Sequence, residues 1–540
     1  MLLVLGLLVG CYSDSSSRAT GATSSTAARR ANGAASEWFV DRAIESDLKF
    51  TYFNGMSGGL YYPEMLPGGV ALLDYDNDGD LDVFFVQGQM LGEGKTLDDA
   101  TIRPASLPLK GRLFRNDLVV NADGTRTLHF TDVTEQSGID THEYGMGVTA
   151  ADFNNDGCVD LYVTNLGRNQ LFRNNCDGTF TDVSRQSGTD IAGWSVSAAF
   201  VDYDRDGWLD LYVGNYVVWD IRSDQKCTGL TGRRDYCTPA VYSPQRDRLF
   251  HNNGNGTFTD VTATALPGGP FGPTLGVATA DFDNDGAEDL ITTQLPSEGI
   301  NLYRNVGSGL FEDESAASGL GPMTLGYTGF GTAWFDFDND GWLDLLVANG
   351  AIEAIKERGE ERFPYGEPKL LFRNLRNGRF ENVTPKAGSL FQLLEVSRGA
   401  AFGDIDNDGD VDVVISNIHA PARLLINSVG NRNHWVGLRL VGASARSRPT
   451  REAGAGSVTG RDMVGARVEV IRKNTPTLWR RSRSDGSYGS ANDPRVLVGL
   501  GDATDPPMAR VHWPDGDVEE WPAVAIDRWT VLRQGKRMAR

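Results

Sequence analysis

Six times along the 540-residue chain, acidic residues recur in one spacing, D-x-[DN]-x-D-G-x-x-D, and a short apolar run follows at once. The first two copies are Asp74, Asp76, Asp78, Asp82 and Asp152, Asn154, Asp156, Asp160. The third and fourth are Asp202, Asp204, Asp206, Asp210 and Asp281, Asp283, Asp285, Asp289. The last two are Asp336, Asp338, Asp340, Asp344 and Asp404, Asp406, Asp408, Asp412. Carboxylates at positions 1, 3 and 5 converge on one point only if the chain turns sharply, and the glycine at position 6 permits that turn. Position 7 adds a backbone carbonyl, from Asp80, Cys158, Trp208, Ala287, Trp342 and Asp410 in turn. Oxygen ligands in this pattern suit Ca²⁺, so up to six calcium ions are expected. One Asp-Gly pair is an ordinary tight turn; six in a single register are not.

The elements that must position these loops are strands. A helix–loop–helix calcium hand places a bidentate Glu at position 12, where this chain has Phe85, Val163, Val213, Thr292, Val347 and Ile415. The runs that leave the loops, such as LDVFFV and VDVVISN, are β-branched or aromatic and bounded by turn residues. Upstream of each loop lies an F-x-D/N segment, beginning at Phe39, Phe130, Phe180, Phe258, Phe311 and Phe380. Downstream lies an L-F-R-N-like segment ending at Asn116, Asn174, Asn252, Asn305, Asn374 and Asn427. Read from phenylalanine to asparagine, one unit holds four strands, with Asn-Gly or Asp-Gly hairpin turns between units. Successive loops begin 78, 50, 79, 55 and 68 residues apart. A four-stranded repeat with a period near 50 is a propeller blade, because a lone blade cannot bury both faces. Six blades are countable, and the insertions 222–243 and 351–368 leave room for a seventh.

These features resemble the FG-GAP/VCBS repeats of integrin-like propellers, and over residues from Trp38 onward the chain is similar to the cartilage acidic protein / ASPIC–UnbV family. The C-terminal part of the resemblance rests on His434-Trp435-Val436-Gly437-Leu438, Val464-Gly465-Ala466-Arg467-Val468, Ser487-Tyr488, Asn492-Asp493-Pro494-Arg495, Gly499-Leu500-Gly501 and Val511-His512-Trp513-Pro514-Asp515-Gly516, in that order. The resemblance implies an all-β fold, a propeller followed by a small β domain. It also implies about one more blade than the six counted, and Leu where this chain has Gly489.

The domain reading is 1–11 signal peptide, 12–36 Ser/Thr/Ala/Gly linker, 37–430 propeller and 431–540 a small antiparallel β domain, with 442–460 as a loop inside it. The apolar Met1 to Gly10 decamer is too short to span a bilayer, and Leu8-Val9-Gly10-Cys11 resembles a bacterial lipobox, although no Lys or Arg follows Met1. Lipidation at Cys11 and a place in the cell envelope are therefore expected. Four further cysteines in an exported chain imply two disulfides, with Cys227–Cys237 and Cys158–Cys176 the nearest pairings.

A net charge of −21 argues against nucleic acid, whose phosphates need clustered Lys and Arg. Six calcium ions bring it to about −9. No H-E-x-x-H, G-x-S-x-G or P-loop is present, and the six histidines form no close pair. The primary expectation is thus a calcium-stabilised binding module for a protein or carbohydrate ligand. A hydrolase, lyase or cyclase with its site in the propeller channel is the alternative, with Arg233, Arg234, Asp235, Tyr236 or residues 356–362 as polar lining. An adhesion scaffold is a third reading, to which Trp194, Trp208, Trp334 and Trp342 offer aromatic surface unless blade packing uses them.

Overall fold

The computed structural model describes residues 37–268, 275–358, 361, 363–442 and 460–535. Cys11, the 12–36 linker and most of the 442–460 loop lie outside them. Each calcium-type loop joins two antiparallel strands, because the run before it and the run after it pair directly across the turn. Six four-stranded blades result. Blade I holds Val70–Leu73, Asp82–Phe85, Arg112–Asn116 and Phe130–Asp132; blade II holds Tyr144–Ala151, Asp160–Arg168, Gln170–Asn174 and Phe180–Asp182. Blade III is Ala192–Val201, Asp210–Asn215, Arg248–Asn252 and Phe258–Asp260; blade IV is Val277–Ala280, Asp289–Thr292, Asn301–Gly307 and Leu310–Asp313. Blade V is Gly329–Phe335, Asp344–Asn349, Leu370–Asn374 and Phe380–Asn382. Blade VI combines Ser397–Gly403, Asp412–Asn417 and Arg423–Asn427 with Phe39–Asp41 from the start of the described chain.

This order corrects the phase of the repeat. The F-x-D segment is not the first strand of its unit but the outer edge of the preceding blade, where the Asn-Gly hairpin folds it onto L-F-R-N. The shift leaves blade VI one strand short, and Phe39–Asp41 fills the gap by pairing with Arg423–Asn427. Inner strands of blades VI and I then lie side by side and the ring closes. A short turn follows the F-x-D/N strand in each of blades I to V, and its Asp or Asn accepts a backbone N–H two residues on. The Ser or Thr hydroxyl there accepts the amide of the leucine of the neighbouring strand, Leu113, Leu171, Leu249, Leu302 and Leu371 in turn. No seventh blade forms among the described residues. The 222–243 insertion folds instead into a two-stranded hairpin, Cys227–Thr228 with Arg234–Asp235.

The C-terminal domain is two small sheets around a core of Val436, Leu438, Val468, Val498, Val511 and Trp521. One is Leu478–Arg481, Arg467–Ile471, Met508–His512 and Val518–Trp521, all antiparallel. The other differs from expectation, because His434–Val441 pairs in parallel with Trp529–Arg533. Both expected disulfides form, Cys158–Cys176 with Cα atoms 5.7 Å apart and Cys227–Cys237 at 5.1 Å. They fit an oxidising compartment.

Closure by Phe39–Asp41 makes a testable demand. Phe39 is fully buried and its ring centroid lies 5.6 Å from that of Phe391. Phe39→Ala is expected to cost about 3–5 kcal/mol, read from the urea midpoint; a loss below about 1 kcal/mol contradicts closure through this strand.

Candidate functional site

The six loops share one hydrogen-bond scheme, and it assigns a separate job to each acidic position. At position 9 the carboxylate accepts two backbone N–H groups, one from position 2 and one from the L-F-R-N asparagine, at 2.7–3.3 Å in every blade. Asp82, Asp160, Asp210, Asp289, Asp344 and Asp412 thereby tie each loop to its third strand. At position 1 in loops two to six the carboxylate accepts the amides of positions 5 and 6, which winds the loop tight. The position-5 carboxylate accepts the amide of position 7 at 2.9–3.2 Å.

Two residues per loop take left-handed backbone angles. The glycine at position 6 has φ of 89–98°, as its spacing predicts; position 4 also does so, at 53–65°. Asparagine tolerates that region better than most side chains, which explains Asn77, Asn155, Asn284, Asn339 and Asn407. Its amide has a second use, reaching the next blade. Asn77, Asn155 and Asn339 donate to the carbonyls of Gly157, Gly207 and Gly409, and Asn407 Nδ2 reaches Asp80 Oδ1 at 2.7 Å, joining blade VI to blade I. A second ring runs the opposite way: Asn116, Asn174, Asn252, Asn374 and Asn427 donate to position-2 carbonyls of the preceding blade at 2.7–3.0 Å. Among the described residues only the joint between blades III and IV has neither bridge, because Arg205 replaces asparagine and Asn305 bonds within its own blade.

The carboxylates crowd. Ligand oxygens of Asp74, Asp76 and Asp82, of Asp202, Asp204 and Asp206, and of Asp281, Asp283 and Asp285 lie within 4.8 Å of one another. Burial, reinforced by neighbouring negative charge, raises their proton affinity. Asp76 and Asp338 are pushed up to about 6, Asp152, Asp281, Asp289 and Asp406 to about 7, and Asp404 to about 8. Asp82, Asp160, Asp336, Asp344, Asp410 and Asp412 are raised well above the usual carboxylate range for the same reason. Oδ1 atoms of Asp74, Asp338 and Asp410 are buried without a hydrogen-bond partner. Converging hard oxygens, excess negative charge and orphaned acceptors are what a divalent cation satisfies, so the residues present fit calcium.

A cover over these loops went unread in the sequence. Residues 431–540 hold 19 Lys and Arg against 12 Asp and Glu, a net +7, and arginines from this domain descend onto the acidic rim. Arg439 reaches Asp74 Oδ2 at 3.2 Å; Arg461 bonds Asn155 and the Gly207 carbonyl; Arg467 bonds the Gly286 carbonyl at 2.6 Å. Arg480 links Asn284 Oδ1 to the Gly341 carbonyl, spanning blades IV and V, and Arg495 bonds Asn407 Oδ1 and the Asp404 carbonyl. The charge contrast between the two halves of the chain is the signal from which this docking is readable.

Between these arginines the segment 484–493 enters the channel and touches the inner strand of every blade. Ala491 exchanges bonds with Val70 and Leu72, Val148 donates to Gly489 O, and Gly489 donates to Ser197 Oγ. Ser487 donates its amide to Val277 O and its hydroxyl to Ala400 O, and accepts from the Thr332 amide. Tyr488 at the tip is fully buried, donates to Leu66 O at 2.9 Å and meets Phe330 edge-on. Arg398, also fully buried, closes the far end through the carbonyls of Met65 and Gly350 and lies 3.9 Å above the Phe330 ring. Between domain and ring remain a cavity of about 120 Å³ beside Asp281, Asp336 and Arg480 and one of about 480 Å³ beside Asn407, Asp408 and Trp529. The channel axis, where the alternative reading put a catalytic site, is occupied by 484–493. Trp194 and Trp334 are likewise buried and offer no aromatic surface. Of the proposed insertion residues, Asp235 and Tyr236 are buried and engage Tyr365 and Glu64, whereas Arg233 and Arg234 are exposed.

Family models match both parts of the chain. The FG-GAP-like repeat model matches residues 74–163, 152–213, 231–292 and 288–347, and the ASPIC and UnbV model matches 456–539. The chain carries FG-GAP-like repeats and an ASPIC/UnbV domain. It is 27% identical to cartilage acidic protein 1 of Mus musculus over 284 residues, which is 50% of this chain and 38% of that protein. The Homo sapiens protein matches at 27%, over 50% and 37%, and the Xenopus tropicalis protein at 29%, over 50% and 38%. The aligned part thus spans well under half the length of these relatives. Among solved structures, an Agrocybe aegerita lectin that recognises non-reducing terminal N-acetylglucosamine aligns over 68% of this chain and 83% of its own, at 16% identity and a TM-score of 0.29.

The plug in the FG-GAP/UnbV arrangement tolerates little at its tip. A Cβ on Gly489, where φ is +55°, meets Gly147 Cα at 3.2 Å and the Met146 and Val196 carbonyls at 3.6 Å. Gly489→Leu is expected to lower the melting temperature by at least several degrees, with a loss of about 2–4 kcal/mol from overpacking and backbone strain. An unchanged melting curve contradicts the plugged channel.

Proposed function

We propose that this chain is a calcium-riveted six-bladed propeller that acts outside the cytoplasm as a binding module, with calcium structural rather than catalytic. The observation that carries the reading is the crowding of carboxylates in the first, third and fourth loops, with orphaned oxygens at Asp74, Asp338 and Asp410 in the first, fifth and sixth. Each bound ion neutralises mutual repulsion and fixes the turn between the first two strands of a blade, so metal binding contributes directly to folding. A site with Kd about 10⁻⁴ M in about 1 mM calcium adds about 1.4 kcal/mol.

Because the C-terminal domain covers the loop face, the partner surface is assigned to the opposite end, where the insertions emerge. There Arg234 bonds the Gly59 carbonyl, Asp235 accepts from the Ala354 amide, and Tyr236 bonds Glu64, so the two insertions and the segment before blade I form one structured face. The partner class is a protein or carbohydrate. Lipidation at Cys11, with 12–36 as the tether, places the module on a bacterial envelope membrane in this reading.

The test is thermal unfolding with and without chelator across pH. Without calcium the raised carboxylates bind protons more tightly in the folded than in the unfolded state. Their penalty is absent below about pH 4 and grows as pH rises to about 8. Chelation is therefore expected to lower Tm by about 10 °C or more at pH 8 and far less near pH 4.5. A chelator-insensitive Tm at pH 8 overturns the proposal.

A further inference from the structure

The third loop faces a different residue from the other five. In blades I, II, IV and V the L-F-R-N segment supplies Arg115, Arg173, Arg304 and Arg373. In blades IV and V that arginine ion-pairs with the position-3 carboxylate, Arg304 to Asp283 at 2.8 Å and Arg373 to Asp338 at 2.5 Å. Blade III has His251 instead, and blade VI has Ile426. His251 Nδ1 lies 3.2 Å from Asp204 Oδ2 and 3.3 Å from Asp210 Oδ1, buried and without a hydrogen-bond partner. The three ligand atoms lie within 4.8 Å of one another.

Guanidinium has no lone pair to give a metal, whereas neutral imidazole has one. Replacing arginine by histidine therefore changes the third loop from a set of oxygens with a competing cation to a mixed nitrogen and oxygen set. Calcium takes oxygen ligands, while imidazole with carboxylate favours first-row transition metals. The surroundings agree. Asp204 and Asp206 are exposed, unlike the covered carboxylates of the sixth loop, so an ion can enter and keep water in its open positions.

We propose that the third loop is a transition-metal site, in which His251 Nδ1, Asp204 and Asp210 bind one dication of the zinc, manganese or cobalt class. This assignment goes beyond calcium in the other loops and does not depend on it.

The test uses the untagged full chain, stripped with chelator and titrated with CoCl₂ in about 1 mM CaCl₂, within the range that saturates extracellular calcium sites. One equivalent of cobalt is expected to give visible ligand-field bands typical of nitrogen ligation, displaced by Zn²⁺ and not by Ca²⁺. His251→Arg restores the residue that four other blades carry, and it is expected to abolish the bands while keeping the fold by circular dichroism. His251→Gln, smaller and uncharged, gives the same answer if arginine disturbs the blade. Unaltered cobalt binding in both variants, or no cobalt uptake by the wild-type chain, overturns the proposal. If chelation leaves Tm unchanged yet the His251-dependent bands appear, the calcium reading fails and this one stands.

Discussion

Carboxylates that lie within 4.8 Å of one another and partly out of water repel strongly, and this chain repeats that arrangement around a closed ring. Everything nearby answers to it. Backbone amides of positions 2, 5, 6 and 7 turn toward the carboxylates, two residues per loop adopt left-handed angles to allow this, and arginines from the second domain approach from above. Those donors fix the loop shape but leave like charges facing one another, which raised proton affinities record. In the proposed account a divalent ion in each loop removes the remaining repulsion. The asparagine bridges between blades then carry the order of one loop to the next.

The C-terminal domain reaches into the propeller. A ring of six blades leaves a channel, and in this molecule 484–493 occupies it with bonds to all six inner strands. The proposed account therefore puts the partner surface at the insertion face. At the channel axis a Cβ on Gly489 would come within 3.2 Å of Gly147 Cα, at a backbone φ of +55° that side chains rarely adopt.

Loops, strands, six blades and both disulfides were legible because each has a local signature: a spacing, an alternation or a cysteine count. The blade phase was not, since F-x-D beside a loop in sequence belongs to the previous blade in space, and only the hairpin pairing decides that. Nor were the two asparagine rings, whose side chains act across a joint between residues 52 to 99 positions apart, and 289 or 327 apart where the ring closes. Position 9 looked like one more ligand, yet its oxygens also hold the third strand. Ser487-Tyr488 and Asn492-Asp493 read only as carriers of the resemblance, because the role of 484–493 depends on the hole it fills. His251 was counted among scattered histidines because its partners, Asp204 and Asp210, are 47 and 41 residues away.

Hydrogen exchange measured with calcium and after chelation tests the central claim most directly. The account predicts that amides of all six loops, 74–82 through 404–412, lose protection together on chelation, and that the plug 484–493 and the inner strands it touches follow. Exchange at these segments that is identical with and without calcium contradicts it.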